Sequence, residues 1–177
     1  MSGHISNWEL MAYSFAEIFE GKVNLITKIQ ASKGLNKIIN EYRSLSGNEM
    51  IEIGFSLKKV FEKLKKNEFI GFLVDQSAHP DYSAYIDFFG HKTTSFSGPA
   101  KIFLKQRPEM LLGYFIRKED YSYVLKFEKI YYEDIADNND ENIKLLTQRM
   151  QNGIESIIRN NPGQWLWFHK RFKHMKN

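Results

Sequence analysis

The stretch Phe69-Ile70-Gly71-Phe72-Leu73-Val74-Asp75-Gln76 decides the fold class of this chain. An apolar run without interruption ends at a carboxylate and an amide side chain. A run of this kind, bounded by polar residues, predicts a strand buried on both faces in a parallel sheet. Since the carboxyl ends of such strands face the ligand crevice of open α/β sheets, Asp75 and Gln76 are predicted site residues. Asp75 would orient either a basic residue or the acceptor of a reaction.

Outward from this strand, helical and strand patterns alternate, as an α/β fold requires. Apolar spacing and cap residues predict helices over 8–20, 32–45, 56–66 and 140–160, and another that begins near Ser97. Alternating or short apolar runs predict strands over 23–26, 50–53, 110–116 and 121–130, the last two as a hairpin. We therefore predict a mixed, mostly parallel sheet flanked by helices, in one domain over residues 1–177.

The predicted helix 56–66 has an apolar and a basic face. Its inward residues are predicted to be Leu57, Val60, Phe61 and Leu64. The favoured interpretation of the lysines at 58, 59, 63, 65 and 66 is a solvated surface. A less favoured interpretation is a docking face for an acidic acyl carrier protein or for anionic headgroups.

Composition bounds the function classes. The 177 residues suffice for one substantial core, and the absence of cysteine excludes disulfides and thiolate chemistry. A net charge of +4 is too small to predict nucleic-acid binding by itself. No apolar run is long enough to span a bilayer, so we expect membrane contact to be peripheral or to need a segment absent here. The aromatic share of 15% suits a lipid-facing protein, although a large core explains it equally well.

The stretch Gly3-His4-Ile5-Ser6-Asn7-Trp8-Glu9 places a histidine five positions before a carboxylate. On a continuous helix five residues turn through roughly 500°, so His4 and Glu9 can meet only if the backbone bends between them. Ser6 and Asn7 are residue types that cap a helix N-terminus, which would put Glu9 in the first turn and His4 on the preceding loop. A carboxylate on one imidazole nitrogen leaves the other as a general base. The alternative is a surface histidine beside a helix cap.

Further motifs follow in order along the chain. They are Asp75-Gln76, Asp87-Phe88-Phe89-Gly90, Gly98-Pro99-Ala100 and the ending Gln164-Trp165-Leu166-Trp167-Phe168-His169-Lys170-Arg171-Phe172-Lys173. With the His4 motif, this series resembles the bacterial lipid A biosynthesis acyltransferases, the lauroyl/myristoyl transferase family related to glycerolipid acyltransferases. Asp87, Gly163 and Lys170 depart from the family pattern, which leaves the acceptor and the acyl chain length open.

This resemblance implies transfer of a fatty acyl group from an acyl carrier protein thioester to a hydroxyl of a lipid A precursor, in lipopolysaccharide biosynthesis. His4 would be the base and Glu9 its orienting partner, with no metal and no cofactor beyond the thioester co-substrate. Expected partners are acyl carrier protein, the lipid A precursor and the cytoplasmic face of the bacterial inner membrane, and not nucleic acid. The predicted substrate contacts are Asn7, Arg43, Asp75, Gln76, Arg117, Arg171 and Lys173.

The same resemblance raises an alternative. Relatives carry an anchor and a buried strand before the histidine, so the chain is expected to be roughly the C-terminal two-thirds of such an enzyme. It would then be an inactive remnant or half of a split enzyme, because the strand that holds His4 would be missing. Another glycolipid is a possible acceptor, and the basic aromatic ending leaves a nucleic-acid-binding module as the weakest alternative.

Overall fold

The computed structural model describes residues 1–19, 23–53 and 57–175. The chain forms two compact units. Met1–Ser6 and Leu73–Asn177 make up the main unit, and Asn7–Phe72 makes up the inserted unit. Helices, a parallel sheet and antiparallel hairpins confirm the α/β class. The prediction of one domain over the whole chain stays a prediction.

The inserted unit alternates helices and parallel strands. Its elements are α1 (Trp8–Ile18), β1 (Val23–Thr27), α2 (Lys33–Ser44), β2 (Glu49–Glu52), α3 (Leu57–Lys65) and β3 (Phe69–Gly71). The strands pair in the order β2-β1-β3, and both pairings are parallel. The predicted helices and strands of this region are confirmed to within a few residues. The predicted end of the first helix at residue 20 and the predicted start of the helix 56–66 lie outside the described residues.

The strand that decided the fold class is less buried than predicted. β3 ends at Gly71, and Phe69 is 41% exposed. In the main unit, Leu73 forms only a single parallel bridge with Ser2 and is 37% exposed. The prediction of burial on both faces was wrong because β3 lies at the edge of its sheet, and an apolar run alone cannot distinguish an edge strand from a central one.

Helix α3 also departs from its prediction at two positions. Val60 is fully buried as expected, whereas Leu57, the first residue of the helix, is 59% exposed. Lys63 does not belong to a solvated face. Its Nζ lies 3.0 Å from a carboxylate oxygen of Glu49 and 2.9 Å from one of Glu68, and its side chain is only 14% exposed. Lys63 therefore connects α3 to β2 and to the start of β3.

The described residues of the main unit include two antiparallel hairpins and two α-helices. Its elements are β4 (Ser83–Phe88), β5 (His91–Phe96), α4 (Gly98–Gln106), β6 (Leu111–Arg117), β7 (Tyr123–Lys129) and α5 (Asp140–Asn160). The β6–β7 hairpin and α5 are confirmed, and β4–β5 is a hairpin that the sequence did not predict. The apolar face of α5 packs against β4 and supplies Leu146, Met150, Ile154 and Ile158 to the core.

The β4–β5 turn explains the Phe-Phe-Gly motif. Phe89 and Gly90 have φ of 53° and 77°, the left-handed pair that joins two strands in a tight hairpin. A phenylalanine is costly in this conformation. Phe89 is held there because its ring stacks on that of Trp165, with 6.4 Å between the centroids, and its N–H donates to Glu155 Oε2 at 2.7 Å.

The backbone of the residues before His4 is hydrogen-bonded to two other segments of the main unit. The Met1 amine donates to the Leu111 carbonyl at 2.7 Å, and the Val74 N–H donates to the Ser2 carbonyl at 3.0 Å. These residues therefore lie between β6 and the end of the 69–76 stretch, and the expected absence of the strand that supports His4 stays a prediction. Among the described residues, no helix has the length and apolarity to cross a membrane.

Candidate active site

The Asp75 carboxylate accepts hydrogen bonds at the centre of the site. It follows the stretch that decided the fold class, and its side chain is 2% exposed. Oδ1 lies 2.8 Å from His4 Nδ1, and Oδ2 accepts from the His4 backbone N–H at 2.8 Å. Oδ2 also accepts from Trp165 Nε1 at 2.8 Å. Of the two roles that the sequence left open for Asp75, this geometry matches the orientation of a basic residue.

The ionisation of Asp75 fixes the tautomer of His4. Burial by itself raises the pKa of Asp75, but the hydrogen bonds and charge of His4 and the bond from Trp165 outweigh it, so the pKa lies below its usual range. An ionised carboxylate can only accept, so Nδ1 of His4 carries the hydrogen. The lone pair is then on Nε2, which is the arrangement of a general base.

Gln76 lies beside the basic nitrogen. Its Nε2 is 3.4 Å from His4 Nε2, a long contact for a hydrogen bond. The His4 side chain is 17% exposed. Gln76 is thus a neighbour of the histidine, at the nitrogen opposite to Asp75, and its predicted contact with the substrate stays a prediction.

The C-terminal ending holds the dyad in place. Ile5 and Trp165 form an antiparallel bridge, and the Leu166 N–H donates to the His4 carbonyl at 3.0 Å. Trp165 is 6% exposed and packs edge-on against Phe88. The sequence singled out this ending by resemblance but did not find Trp165 as a partner of Asp75. The signal was available, because a buried tryptophan N–H requires an acceptor.

Arg171 is an interior residue of the site. It is 1% exposed, donates to the Thr94 carbonyl at 2.5 Å and to Gln151 Oε1 at 3.3 Å, and stacks over Phe88. Gln151 in turn donates to the carbonyl of Val74, the residue before Asp75, at 2.7 Å. The prediction of Arg171 as a substrate contact was wrong, because a phosphate would have to open this packing to reach the guanidinium.

Burial also changes the titration of Arg171. Desolvation lowers its pKa to about 10, and the charge of Asp75 opposes this change. The guanidinium therefore remains a cation at neutral pH. Within the described part of the chain, its Nε has no hydrogen-bond partner.

His169 is a half-buried polar residue that the sequence did not assign to the site. Its Nδ1 has no partner among the described residues. Burial lowers the pKa of His169, Asp75 acts in the opposite direction, and Lys173, His4 and Arg171 lower the pKa further. His169 is therefore uncharged at neutral pH, and its imidazole lies within electrostatic range of the dyad.

The chain matches the model of a family described as bacterial lipid A biosynthesis acyltransferase over residues 1–174. The chain belongs to this family. A comparison with curated proteins gives no match. The matched region contains the whole His4–Asp75 site and the ending that supports it. Membership makes the protein an acyltransferase of lipid A biosynthesis and implies a lipid A precursor as its substrate.

Two predicted cations of the acyltransferase lie on the surface of the main unit. Arg117 ends β6, where its backbone N–H and carbonyl bond the side-chain amide of Gln164 at 2.9 and 3.0 Å. Lys173 is exposed. In the described ranges neither side chain forms an ion pair, so their assignment as phosphate contacts stays a prediction.

The remaining predicted residues of the acyltransferase belong to the inserted unit. Asn7 is confirmed as the cap of α1, since its Oδ1 accepts from the Leu10 N–H at 3.0 Å. Arg43 forms a two-pronged ion pair with Glu9, with contacts of 2.8 Å from Nε and 2.5 Å from Nη2. The guanidinium predicted to bind a phosphate thus holds a carboxylate instead.

The orienting carboxylate of the acyltransferase differs from the one that the sequence assigned. The sequence assigned Glu9 to orient the imidazole, whereas Asp75 is bonded to Nδ1 of His4. His4 and Glu9 belong to different units, and their pairing stays a prediction.

Trp165→Phe is expected to lower the stability of the protein while keeping the site packed. The change removes one of the three donors to Asp75 but keeps most of the buried ring. A hydrogen bond to a charged group contributes about 2 kcal/mol, so the free energy of unfolding should fall by about that amount. Urea unfolding at neutral pH measures it. Trp167→Phe is the matched control, since its Nε1 donates only to the Pro162 carbonyl and the side chain is 54% exposed. Equal losses for the two variants would contradict the assignment.

Proposed function

We propose that this acyltransferase moves a fatty acyl group from an acyl carrier protein thioester to a hydroxyl of a lipid A precursor. The observation that supports the proposal most strongly is the 2.8 Å contact between His4 Nδ1 and Asp75 Oδ1. It places an imidazole against a buried carboxylate, which is the pairing that can activate an alcohol.

The reaction proceeds in one covalent exchange. Nε2 of His4 accepts the proton of the acceptor hydroxyl while its oxygen attacks the thioester carbonyl. The tetrahedral intermediate collapses, the carbon–sulfur bond breaks, and the imidazolium returns the proton to the leaving thiolate. Asp75 stabilises the imidazolium between these two steps. The acyl group passes directly to the acceptor, so the protein needs no nucleophile of its own.

The other predicted residues have supporting roles in this proposal. Arg117 and Lys173 would contact phosphate groups of the lipid A precursor or of phosphopantetheine. Glu9 would be a second carboxylate besides Asp75, and its ion pair with Arg43 would hold it in place. The reaction would take place at the cytoplasmic face of the inner membrane, where a lipid acceptor and an acyl carrier protein meet.

An acyl transfer assay tests the donor and the acceptor together. The purified chain is incubated with a lipid A precursor and with either an acyl carrier protein thioester or a coenzyme A thioester of the same fatty acid. We expect the mass spectrum to show the precursor plus one acyl group, formed faster from the carrier protein. Equal rates from both donors would contradict the carrier protein as donor. The absence of any product from well-folded protein would instead favour an inactive remnant, and product only from another glycolipid would correct the acceptor.

A further inference from the structure

The residues Trp167-Phe168-His169-Lys170, here called the aromatic loop, leave two large aromatic side chains uncovered. Phe168 is 96% exposed and Trp167 is 54% exposed. Trp167 is nevertheless held in place, because its Nε1 donates to the Pro162 carbonyl at 2.7 Å and its ring lies 4.6 Å from that of Trp165. The loop therefore presents a phenylalanine and an anchored tryptophan to its surroundings.

The charge next to these aromatic side chains is positive. Lys170 and Lys173 are both exposed, and neither forms an ion pair within the described part of the chain. The sequence from Gln164 to Met175 contains no acidic residue. Arg171 does not contribute to this surface because it is buried. The loop thus combines exposed aromatic rings with uncompensated cations.

We propose that the aromatic loop and Lys173 form the surface through which this enzyme binds an anionic phospholipid bilayer. Tryptophan favours the headgroup level of a bilayer, and lysines are attracted to anionic lipids. A side chain such as Phe168 gains free energy by leaving water for the acyl boundary. The inference rests on the proposed function, of which it specifies the membrane partner.

This surface is connected to the catalytic dyad through the backbone. Trp165, two residues before Trp167, donates to Asp75 Oδ2. His169 points into the interior from the same loop, where the charge of Asp75 acts on it. Binding of the loop at a bilayer would therefore bring the dyad to the surface where a lipid acceptor resides. An acidic protein or a nucleic acid could also use the lysines, and the experiment separates these partners from a bilayer.

Vesicle co-sedimentation of the full chain, without acyl donor or acceptor, tests the inference. We expect binding to vesicles of equal parts phosphatidylcholine and phosphatidylglycerol, and much weaker binding to phosphatidylcholine alone. Phe168→Ser should weaken binding about tenfold, the loss expected for one buried aromatic side chain. Joint Lys170→Gln and Lys173→Gln substitution should weaken it roughly thirtyfold and remove most of its salt dependence.

Matched controls come from the β6–β7 hairpin and the residues just after it. Tyr131→Ser removes a 65% exposed aromatic ring, and joint Lys118→Gln and Lys126→Gln substitution makes the same charge change at exposed positions. Both control variants should leave vesicle binding within about twofold of wild type. Equal losses in controls and loop variants, or no binding by wild type, would overturn the inference. So would loop variants that keep vesicle binding but lose binding to acyl carrier protein or a single-stranded oligonucleotide.

This assay is independent of acyl transfer. His4→Gln should bind vesicles as the wild type does, whether or not the proposed reaction is correct. Failure of the membrane surface and failure of the proposed chemistry therefore give different results.

Discussion

His4→Gln is expected to lower kcat for acyl transfer by about 10³-fold, with little change in the free energy of unfolding. The imidazole is the only group in the proposal that moves a proton, and a general base contributes about 10²–10⁴ in rate. The backbone N–H of residue 4 still donates to Asp75 in the variant, and a glutamine amide can replace the lost Nδ1–H bond. Initial rates with saturating donor and acceptor measure the effect.

The matched control is His79→Gln, which changes a histidine of the same unit whose side chain is 64% exposed. We expect its kcat to stay within about twofold of wild type, since it makes no contact with Asp75. Comparable kcat values for His4→Gln and wild type would refute His4 as the base. A cooperative unfolding transition in each variant shows that any loss of rate is not loss of the fold.

Asp75→Asn is expected to lower kcat by about 10³–10⁴-fold and to destabilise the protein as well. The asparagine amide would donate to His4 Nδ1, which forces the hydrogen onto Nε2 and removes the base. The Oδ2 of Asp75 accepts two N–H groups, one from His4 and one from Trp165, and the neutral oxygen of an amide accepts them more weakly than a carboxylate does. Losing this charge-assisted bonding should cost about 2–3 kcal/mol.

The stability effect of Asp75 depends on pH in a defined direction. The folded state lowers the pKa of Asp75 below its ordinary value of 3.8. The unfolded state therefore binds the proton first as pH falls, so the stabilisation is complete above that value and is lost as pH drops through the folded pKa. The difference between wild type and Asp75→Asn in urea unfolding should be largest at neutral pH and shrink in acid.

The control for this second prediction is Asp81→Asn, at a carboxylate whose side chain is 73% exposed. We expect unchanged kcat and unfolding free energy within about 0.5 kcal/mol of wild type. A pH-independent stability difference for Asp75→Asn would mean that folding does not lower the pKa of the Asp75 carboxyl group. Full activity in the same variant would transfer the orienting role to another residue, with Glu9 the first to examine.

Much of the fold follows from local patterns in the sequence. Helix α5 could be predicted because its apolar residues repeat at helical spacing and Pro162 ends it. The β6–β7 hairpin could be predicted from alternation on either side of a polar turn. The position of Asp75 after an apolar run, and of His4 before a helix cap, marked both members of the dyad as site residues. These signals all lie within a few residues of the feature that they predict.

Only the tertiary structure decided which of these residues meet. The sequence by itself determined the α/β class, the resemblance to a family and the histidine that we propose as the base. It did not determine that His4 binds Asp75 across 71 positions, or that Trp165 completes the contact across 90. Nor did it separate a buried Arg171 from an exposed Phe168 three positions earlier. The physical reason is that spacing along a chain specifies direction only over a few turns or strands, whereas the partner of a polar group and its burial depend on packing between distant segments.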